Sequence, residues 1–533
     1  KNRLDILVDR RKDKQGRQRT LRTTLDWSWE LLNASERRVF MECGIFHGGF
    51  SLSAAEAILG ADTEQGVLDI VESLHEKSLI RVSETDADPE GIRFVMLDII
   101  REYAEEKLKQ SNEYEAVRER HETYYLQLAT RLQNALFSKE AAMGQIRLEK
   151  YNLIAIAQNT STPNTLVRCI ILLDHVLTQF GPFDLHLALL EKAVEQHKEC
   201  EPPLRITALR ARGRAYKNRA EFDKAEADLK SAVSIAEEHQ LKQAEGMALA
   251  NLATLFWTRC RVIDAYDHYT RSLKILEELG DTRLVGVTLY QLSIMNMEMK
   301  RFSKASTLSL KSEMVSRSVS NHYYAAMAIH IRGTVHMAQG QLEDAMDLFT
   351  LSLKELKTQG AHSNLAMVIG DIGLLYHLKG NAKQALEQYR EAHAIYASAK
   401  DRRAQAHSHA MLAIAYADID MLMEATQHID ESERLCRIIH DSRGLGCLEV
   451  ARGNLELSRA RELHATQRPS KMIQRFIRKA EDRIFLPPVS GLTASCPSGV
   501  PLSEISQDVR WFTALLKNAM VQTVAKIPDT PTE

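Results

Sequence analysis

The chain has 533 residues, with 69 Lys and Arg against 71 Asp and Glu, 12 prolines and 24 glycines. That length is too great for one ordinary core, and the charge balance leaves no global field to hold nucleic acid or an acidic membrane. The proline-free span from Leu204 to Arg468 speaks for helices and against a β-rich fold. The seven cysteines (43, 169, 200, 260, 436, 447 and 496) show no CxxC or metal-ligand spacing, which fits free thiols in a reducing cytoplasm. The longest apolar runs, such as CIILLDHVL from Cys169, fall short of a membrane span. With Lys1 opening in mid-pattern, the chain is expected to be part of a longer one.

Residues 1–20 carry Arg10, Arg11, Lys12, Lys14, Arg17 and Arg19 and read as a basic linker. From 21 to 110 three short helices are expected, the second opened by Asn33 with Glu36 three residues later, a capping-box arrangement. VLDIVESLHEKSLIRV gives a fourth helix running into a strand, and IRFVML a second strand across the acidic turn SETDADPEG. Helices followed by a β-hairpin make a winged helix, which the helix from Asp98 leaves. In LRTTLDWSWELL, Trp27 and Trp29 cannot share one helix face. Trp27 is assigned to the core with Leu21, Leu25 and Leu31, and Trp29 to another surface. A DNA reader needs a basic helix before the wing. Here that helix carries Asp69, Glu72 and Glu76, and the wing Glu84, Asp86, Asp88 and Glu90, so DNA is disfavoured.

Residues 111–203 read as a helical bridge, and 204–468 as a repeat array. Small residues recur every forty positions at Gly213, Ala253, Ser293, Gly333, Gly373, Ala413 and Gly453. Alanines follow twelve later at 225, 265, 305, 345, 385, 425 and 465, and Ala232, Ser272, Ser312, Ser352, Ala392 and Ser432 seven beyond those. Small residues at fixed positions let paired helices approach closely. Glu456 stands where earlier repeats place a large side chain, so the last repeat reads as a cap. LRARGRAYKNRAEFDKAEADLKSA and VIGDIGLLYHLKGNAKQALEQYREA resemble the tetratricopeptide repeat, with a longer helical pair.

That resemblance implies that the inward face of each first helix falls six and three before, and one and four after, the small residue. It gives a basic rim of Arg210, Arg214 and Lys217. Met247, Trp257, Tyr290, Met297, Met327, His330, Met337, Met367, His377 and His407 then form an adaptable Met-rich and His-rich stripe. Such a groove takes a peptide, a helix or an apolar effector. Packing between neighbouring repeats is the competing role for each residue. His407 and His409, two apart on a helix, do not make a metal site, and no metal is expected.

RQRTLRTTLDWSWELL, ERRVF, GIFHGGFSLSAAEAIL, VLDIVESLHEKSLIRV and RFVMLDIIREYAEEKL together resemble the winged-helix segment of bacterial STAND regulators, signalling ATPases of NB-ARC or apoptotic type followed by tetratricopeptide arrays. RERHETYYLQLA and EKYNLIAIAQ resemble the helical bridge of the same proteins. The resemblance implies a nucleotide-binding domain upstream, and ATP or ADP as cofactor only there. No GxxxxGK[ST] occurs in this chain, so no cofactor is expected in it. The family's MHD motif aligns with Met96, Leu97 and Asp98, and Leu97 cannot donate to a phosphate as the histidine does. The competing reading has Met96 and Leu97 as strand-end core, with Asp98 capping the exit helix. Trp29 is expected at the seam with that upstream domain or with the bridge helices.

No GxSxG, HExxH, kinase loop or dinucleotide turn is present, so no enzyme is expected. Residues 469–533 read as a proline-rich loop, a capping helix from Leu502 to about Met520 and a loose tail. The expected architecture is mainly α, a small winged-helix domain followed by an α-solenoid. The expected role is the non-catalytic sensor of a STAND-type ATPase. Its partners would be a protein, peptide or small-molecule effector and an NTPase domain in cis, with oligomerisation on activation. A free-standing scaffold and a DNA-binding regulator are the alternatives.

Overall fold

The computed structural model describes residues 22–60, 66–85, 91–135, 140–160, 162–195, 200–219, 221–259, 261–357, 362–398, 401–438 and 442–465. The basic linker, Asp86, Asp88 and Glu90 of the wing, and the tail with its capping helix lie outside these. The fold is mainly helical, with a single two-stranded sheet among the described residues. It divides into two compact units, Lys1–Ala215 and Tyr216–Glu533.

The first unit opens with α1 (22–30), α2 (Ala34–Cys43), α3 (Leu52–Ile58) and α4 (Val67–Glu76), followed by β1 (Arg81–Glu84) and β2 (Ile92–Val95). The strands pair antiparallel from Arg81↔Val95 to Glu84↔Ile92, the element order of a winged helix. The capping box at α2 is present: the Glu36 N–H donates to Asn33 Oδ1 at 2.9 Å and the Asn33 N–H to Glu36 Oε2 at 3.0 Å. Glu36 also accepts from Ser73 and Lys77 of α4, so one carboxylate caps α2 and fixes the helix before the wing.

Trp29, not Trp27, packs toward the core. Leu25, Trp29 and Leu32 form the inward stripe at i, i+4 and i+7. Leu25 and Leu32 are buried, and the Trp29 ring lies 6.0 Å from Phe40. Trp27 and Leu31 share the opposite face and are 63% and 58% exposed. Trp27 stands two residues from Leu25, and a helix turns through about 200° over that distance, so the two never shared a core.

Helices α5 (Asp98–Gln110), α6 (Tyr114–Ala135), α7 (Glu140–Asn159), α8 (Pro163–Phe180), α9 (Phe183–Glu195) and α10 (Pro202–Asn218) follow. Met96 is buried and Leu97 is 45% exposed. Leu97, not Asp98, is the N-cap of α5, and Asp98 sits in its first turn.

The second unit alternates B and A helices in a forty-residue frame. B helices α11, α13, α15, α17, α19 and α21 begin at Phe222, Val262, Phe302, Leu342, Ala382 and Leu422. A helices α12, α14, α16, α18, α20 and α22 begin at Lys242, Thr282, His322, His362, Arg402 and Ser442. Gly333 and Gly373 of the A helices face the B-helix residues sixteen later. A Cβ on Gly333 would stand 2.7 Å from the Phe349 ring, and one on Gly373 2.7 Å from Tyr389. The hairpins are further tied by hydroxyls: Ser272, Ser312, Ser352 and Ser432 donate to the carbonyls of Gly246, Gly286, Ala326 and Ala406 at 2.7–2.8 Å. Each bond satisfies a buried serine. Helix ends close through left-handed residues at Gln240, Gly280, Lys300, Ser320, Gly340, Gly380 and Asp420. The residue after each donates back to the carbonyl five earlier, as Arg301 N–H does to Asn296 at 2.8 Å.

Candidate functional site

The A helices of the second unit are joined by rungs that link a residue to one forty-one positions on. Trp257 Nε1–H donates to Glu298 Oε1 at 2.8 Å, and Asn364 Nδ2 to the Tyr323 hydroxyl at 2.6 Å. His330 Nε2 meets Asp371 Oδ2 at 2.6 Å, and His377 Nε2 meets Asp418 Oδ2 at 2.6 Å. Asp418 also accepts from Asn454 Nδ2 at 3.0 Å, a contact across thirty-six residues and outside this spacing. The spacing of one repeat plus one residue follows from stacking: position n of an A helix meets position n+1 of the next.

This packing corrects the expected open stripe. Met297, Met327, His330, Met337 and His377 are each 9% exposed or less, because neighbouring A helices interdigitate there. Leu374 and Ile414 are buried with them. Met247, Trp257, Tyr290, Met367 and His407 remain half-buried. The basic rim is also altered. Arg214 is bound to the buried Asp174, whose other oxygen lies 3.2 Å from His186. Burial raises the Asp174 carboxyl, but His186 and Arg214 outweigh it and hold it at about 2. Burial, then Arg214, pushes Arg210 down to about 9. Arg210 and Arg214 belong to the first unit, and Lys217, half-buried, to the second.

Between α12 and α14 the Trp257–Glu298 rung forms, but the position that corresponds to the His330–Asp371 rung is unfilled. The register that pairs His330 with Asp371 places Ala250 opposite Gln291, and a methyl group cannot bond to an amide. Gln291 Oε1 is buried with no hydrogen-bond partner, a costly state for a polar atom. Met247, Trp257 and Tyr290 are the half-buried stripe residues of these same two helices. Tyr290 stacks edge-on against Tyr324, 5.7 Å away, which does the same with Tyr323 at 5.0 Å. Three tyrosines thus lie together, and α14 carries two buried acceptors without a hydrogen-bond partner, Gln291 Oε1 and Asn296 Oδ1.

Reading the stripe by offset missed Glu298, Asp371, Asp418 and Gln291. Their signal was an acidic or amide residue forty-one after an aromatic, histidine or alanine. It also missed His393 and His428, which join His409 in a cluster on α19, α20 and α21. Among the described residues no group of three His, Cys, Asp or Glu is placed to hold a metal ion. None of the helices searched there is long and apolar enough to cross a membrane.

In the first unit, β2 is clasped to the bridge. Arg93 donates to both oxygens of Glu149, at 2.7 and 2.9 Å, and to the Gly49 carbonyl at 2.9 Å. Asn152 Nδ2 donates to Glu149, Gly49 and the Tyr125 hydroxyl at 2.8–3.0 Å, while its Oδ1 accepts from the His47 N–H at 2.7 Å. Glu149 and Asn152 both lie in the EKYNLIAIAQ segment.

Residues 323–398 match the tetratricopeptide repeat family model, and this part of the chain is a tetratricopeptide array. A putative HTH-type transcriptional regulator of Mycobacterium tuberculosis is 39% identical over 118 residues, 22% of this chain and 13% of the regulator. The chain thus matches only a small share of that protein's length. A second protein of that organism is 34% identical over 114 residues, 21% of this chain and 28% of its own. Among solved structures, a STAND protein with a tetratricopeptide repeat sensor from Pyrococcus horikoshii aligns over 78% of this chain and 65% of its own. Its identity is 15% and its TM-score 0.43. A Rap protein complexed with competence and sporulation factor aligns over 67% of this chain and 98% of its own, at 12% and 0.43.

Proposed function

We propose that the chain is the sensor region of a STAND-type signalling protein, in which the repeat array receives a protein or peptide effector and the winged-helix unit passes its occupancy to a nucleotide-binding domain. The observation that carries this is the unfilled rung position between α12 and α14, two helices on which Met247, Trp257 and Tyr290 keep partial exposure and Gln291 is unsatisfied. Apolar walls with a few placed polar atoms are the make-up of a ligand site. The docking surface first assigned to Trp29 passes to Trp27 and Leu31, whose exposed face suits contact with a neighbouring domain. Effector binding acts as a population shift, so it must favour one arrangement of the whole protein over another.

The relative named as an HTH-type transcriptional regulator favours transcription as the output of the whole protein. DNA reading is assigned outside residues 22–110, since the exposed Asp69, Glu72, Glu76 and Glu84 would repel phosphate.

A photo-crosslinking benzoylphenylalanine at position 257, in the protein expressed in its own cell, tests the effector site. It should capture a peptide or protein, whereas the same probe at the exposed Leu351 should not, and Tyr290→Ala should cut the adduct about tenfold. Equal adducts at both positions, or an adduct indifferent to Tyr290→Ala, would refute the proposal.

A further inference from the structure

Three histidines from three consecutive helices meet in the C-terminal part of the array. His409 Nδ1 of α20 (Arg402–Asp418) lies 2.7 Å from His428 Nδ1 of α21 (Leu422–Ile438). The His393 ring of α19 (Ala382–Ser398) lies 4.4 Å from that of His409. His428 stacks on Tyr416 at 5.2 Å. His393 Nδ1 is 2.8 Å from Ser408 Oγ, and that hydroxyl donates to the Gln405 carbonyl. The serine therefore accepts, and His393 carries its proton on Nδ1.

Two ring nitrogens at 2.7 Å share one proton. One Nδ1 donates and the other accepts, which fixes opposite tautomers in His409 and His428. One further proton fits on the donor ring's Nε2, making an imidazolium bonded to an imidazole. A second would place two N–H groups head to head and drive the rings apart.

We propose that His393, His409 and His428 form a proton-sensitive joint that holds α19, α20 and α21 together while the pair shares one proton, and loosens them as further protons bind.

The surroundings oppose charging. From α19, Arg390 donates to the Tyr416 hydroxyl at 2.7 Å, beneath His428. From α21, Arg434 faces His409, and Glu431, which favours the charged ring, is bound to Arg434 at 2.5 Å. Glu424 faces His428. From α20, Asp418 is engaged by His377 of α18. From α22, Arg452 is engaged by Glu433 and Glu449. Burial, then the two neighbouring imidazoles, lowers His409 to about 4, and burial lowers His393 and His428 as well.

The sign follows from linkage. An unfolded or detached imidazole binds its proton as pH falls through about 6.5, and the packed ones only below that. The joint is intact at pH 7.5 and weakens as pH drops from about 6.5 towards 4.

Hydrogen exchange of the full chain, corrected for intrinsic rates, reads this directly. Between pH 7.5 and 5.0, opening of residues 382–438 should increase at least about tenfold relative to residues 242–318. His428→Phe, which keeps the stack on Tyr416, and separately His409→Asn should each remove most of that increase. Equal pH responses of the two segments in the wild-type chain overturn the proposal without recourse to either variant. So does a response that both variants leave unchanged.

Discussion

Replacing Glu149 with alanine tests how the winged unit is fastened to its bridge. In the native arrangement Arg93 and Glu149 are 5% and 3% exposed and bonded through two nitrogens, and Asn152 and three carbonyls complete the set. Removal of one partner leaves the guanidinium buried without its counter-ion, which costs about 3–5 kcal/mol. Whole domains have about 5–15 kcal/mol to lose, so the unit should open locally or unfold under mild conditions. Because the two units need not unfold together, the assay is a urea titration followed by hydrogen exchange in residues 144–157. With a slope of about 2–3 kcal/mol per molar urea, the midpoint should fall by about 1–2 M. The double substitution Arg93→Met with Glu149→Leu removes both charges, and Asn152 keeps Gly49 and Tyr125 as acceptors. It should regain most of the loss. A shift below about 0.3 M for Glu149→Ala, or a double variant as weak as the single one, would show that the clasp is incidental.

Gly373→Ala should destabilise the array by about 1–3 kcal/mol, as overpacking does, because its methyl would meet the Tyr389 ring at 2.7 Å; chemical denaturation measures the loss, and Tyr389→Leu in the same chain should recover part of it. Lys300→Gly should stabilise by about 1 kcal/mol, since Lys300 holds φ at 58°, where a Cβ is strained. In the first unit, burial pushes His121 down to about 3, while burial and then Arg101 push His47 down to about 4. The unfolded chain takes up these protons first, so stability should decline as pH falls from about 6.5 towards 4. His121→Phe should flatten that slope by up to about 1.4 kcal/mol per pH unit.

The helical frame was legible because a solenoid repeats its constraints. One small residue every forty positions reports one close approach per hairpin, and the helices begin at the same interval. The serines were legible as a register but not as hydrogen bonds, since the acceptor is a backbone carbonyl that sequence does not mark. The site was harder to read. Offsets within one repeat give the face a residue occupies, but exposure depends on the next repeat, one position out of step. Trp27 and Trp29 show the same limit on a smaller scale: spacing separates their faces, and only the position of Phe40 decides which face is inner.

The uneven ladder also orders events in binding. A ligand entering between α16 and α18 would have to separate His330 from Asp371 and displace Met327 and Met337, all but Asp371 nearly inaccessible. Each charge-assisted bond lost there costs about 1.5–3 kcal/mol, before any contact is gained. Between α12 and α14 the equivalent position, Ala250 opposite Gln291, has no bond to break, the Trp257–Glu298 bond lying at the C-terminal ends of the two helices, and a donor from the ligand would satisfy Gln291, turning a standing cost into a gain. First contact at Trp257 and Tyr290 is therefore favoured over contact further along. Binding that disturbs Trp257 also disturbs its bond to Glu298 at the C-terminal end of α14. Through that rung, occupancy of the proposed site would be felt by the next hairpin, which is the minimum a sensor built from repeats requires.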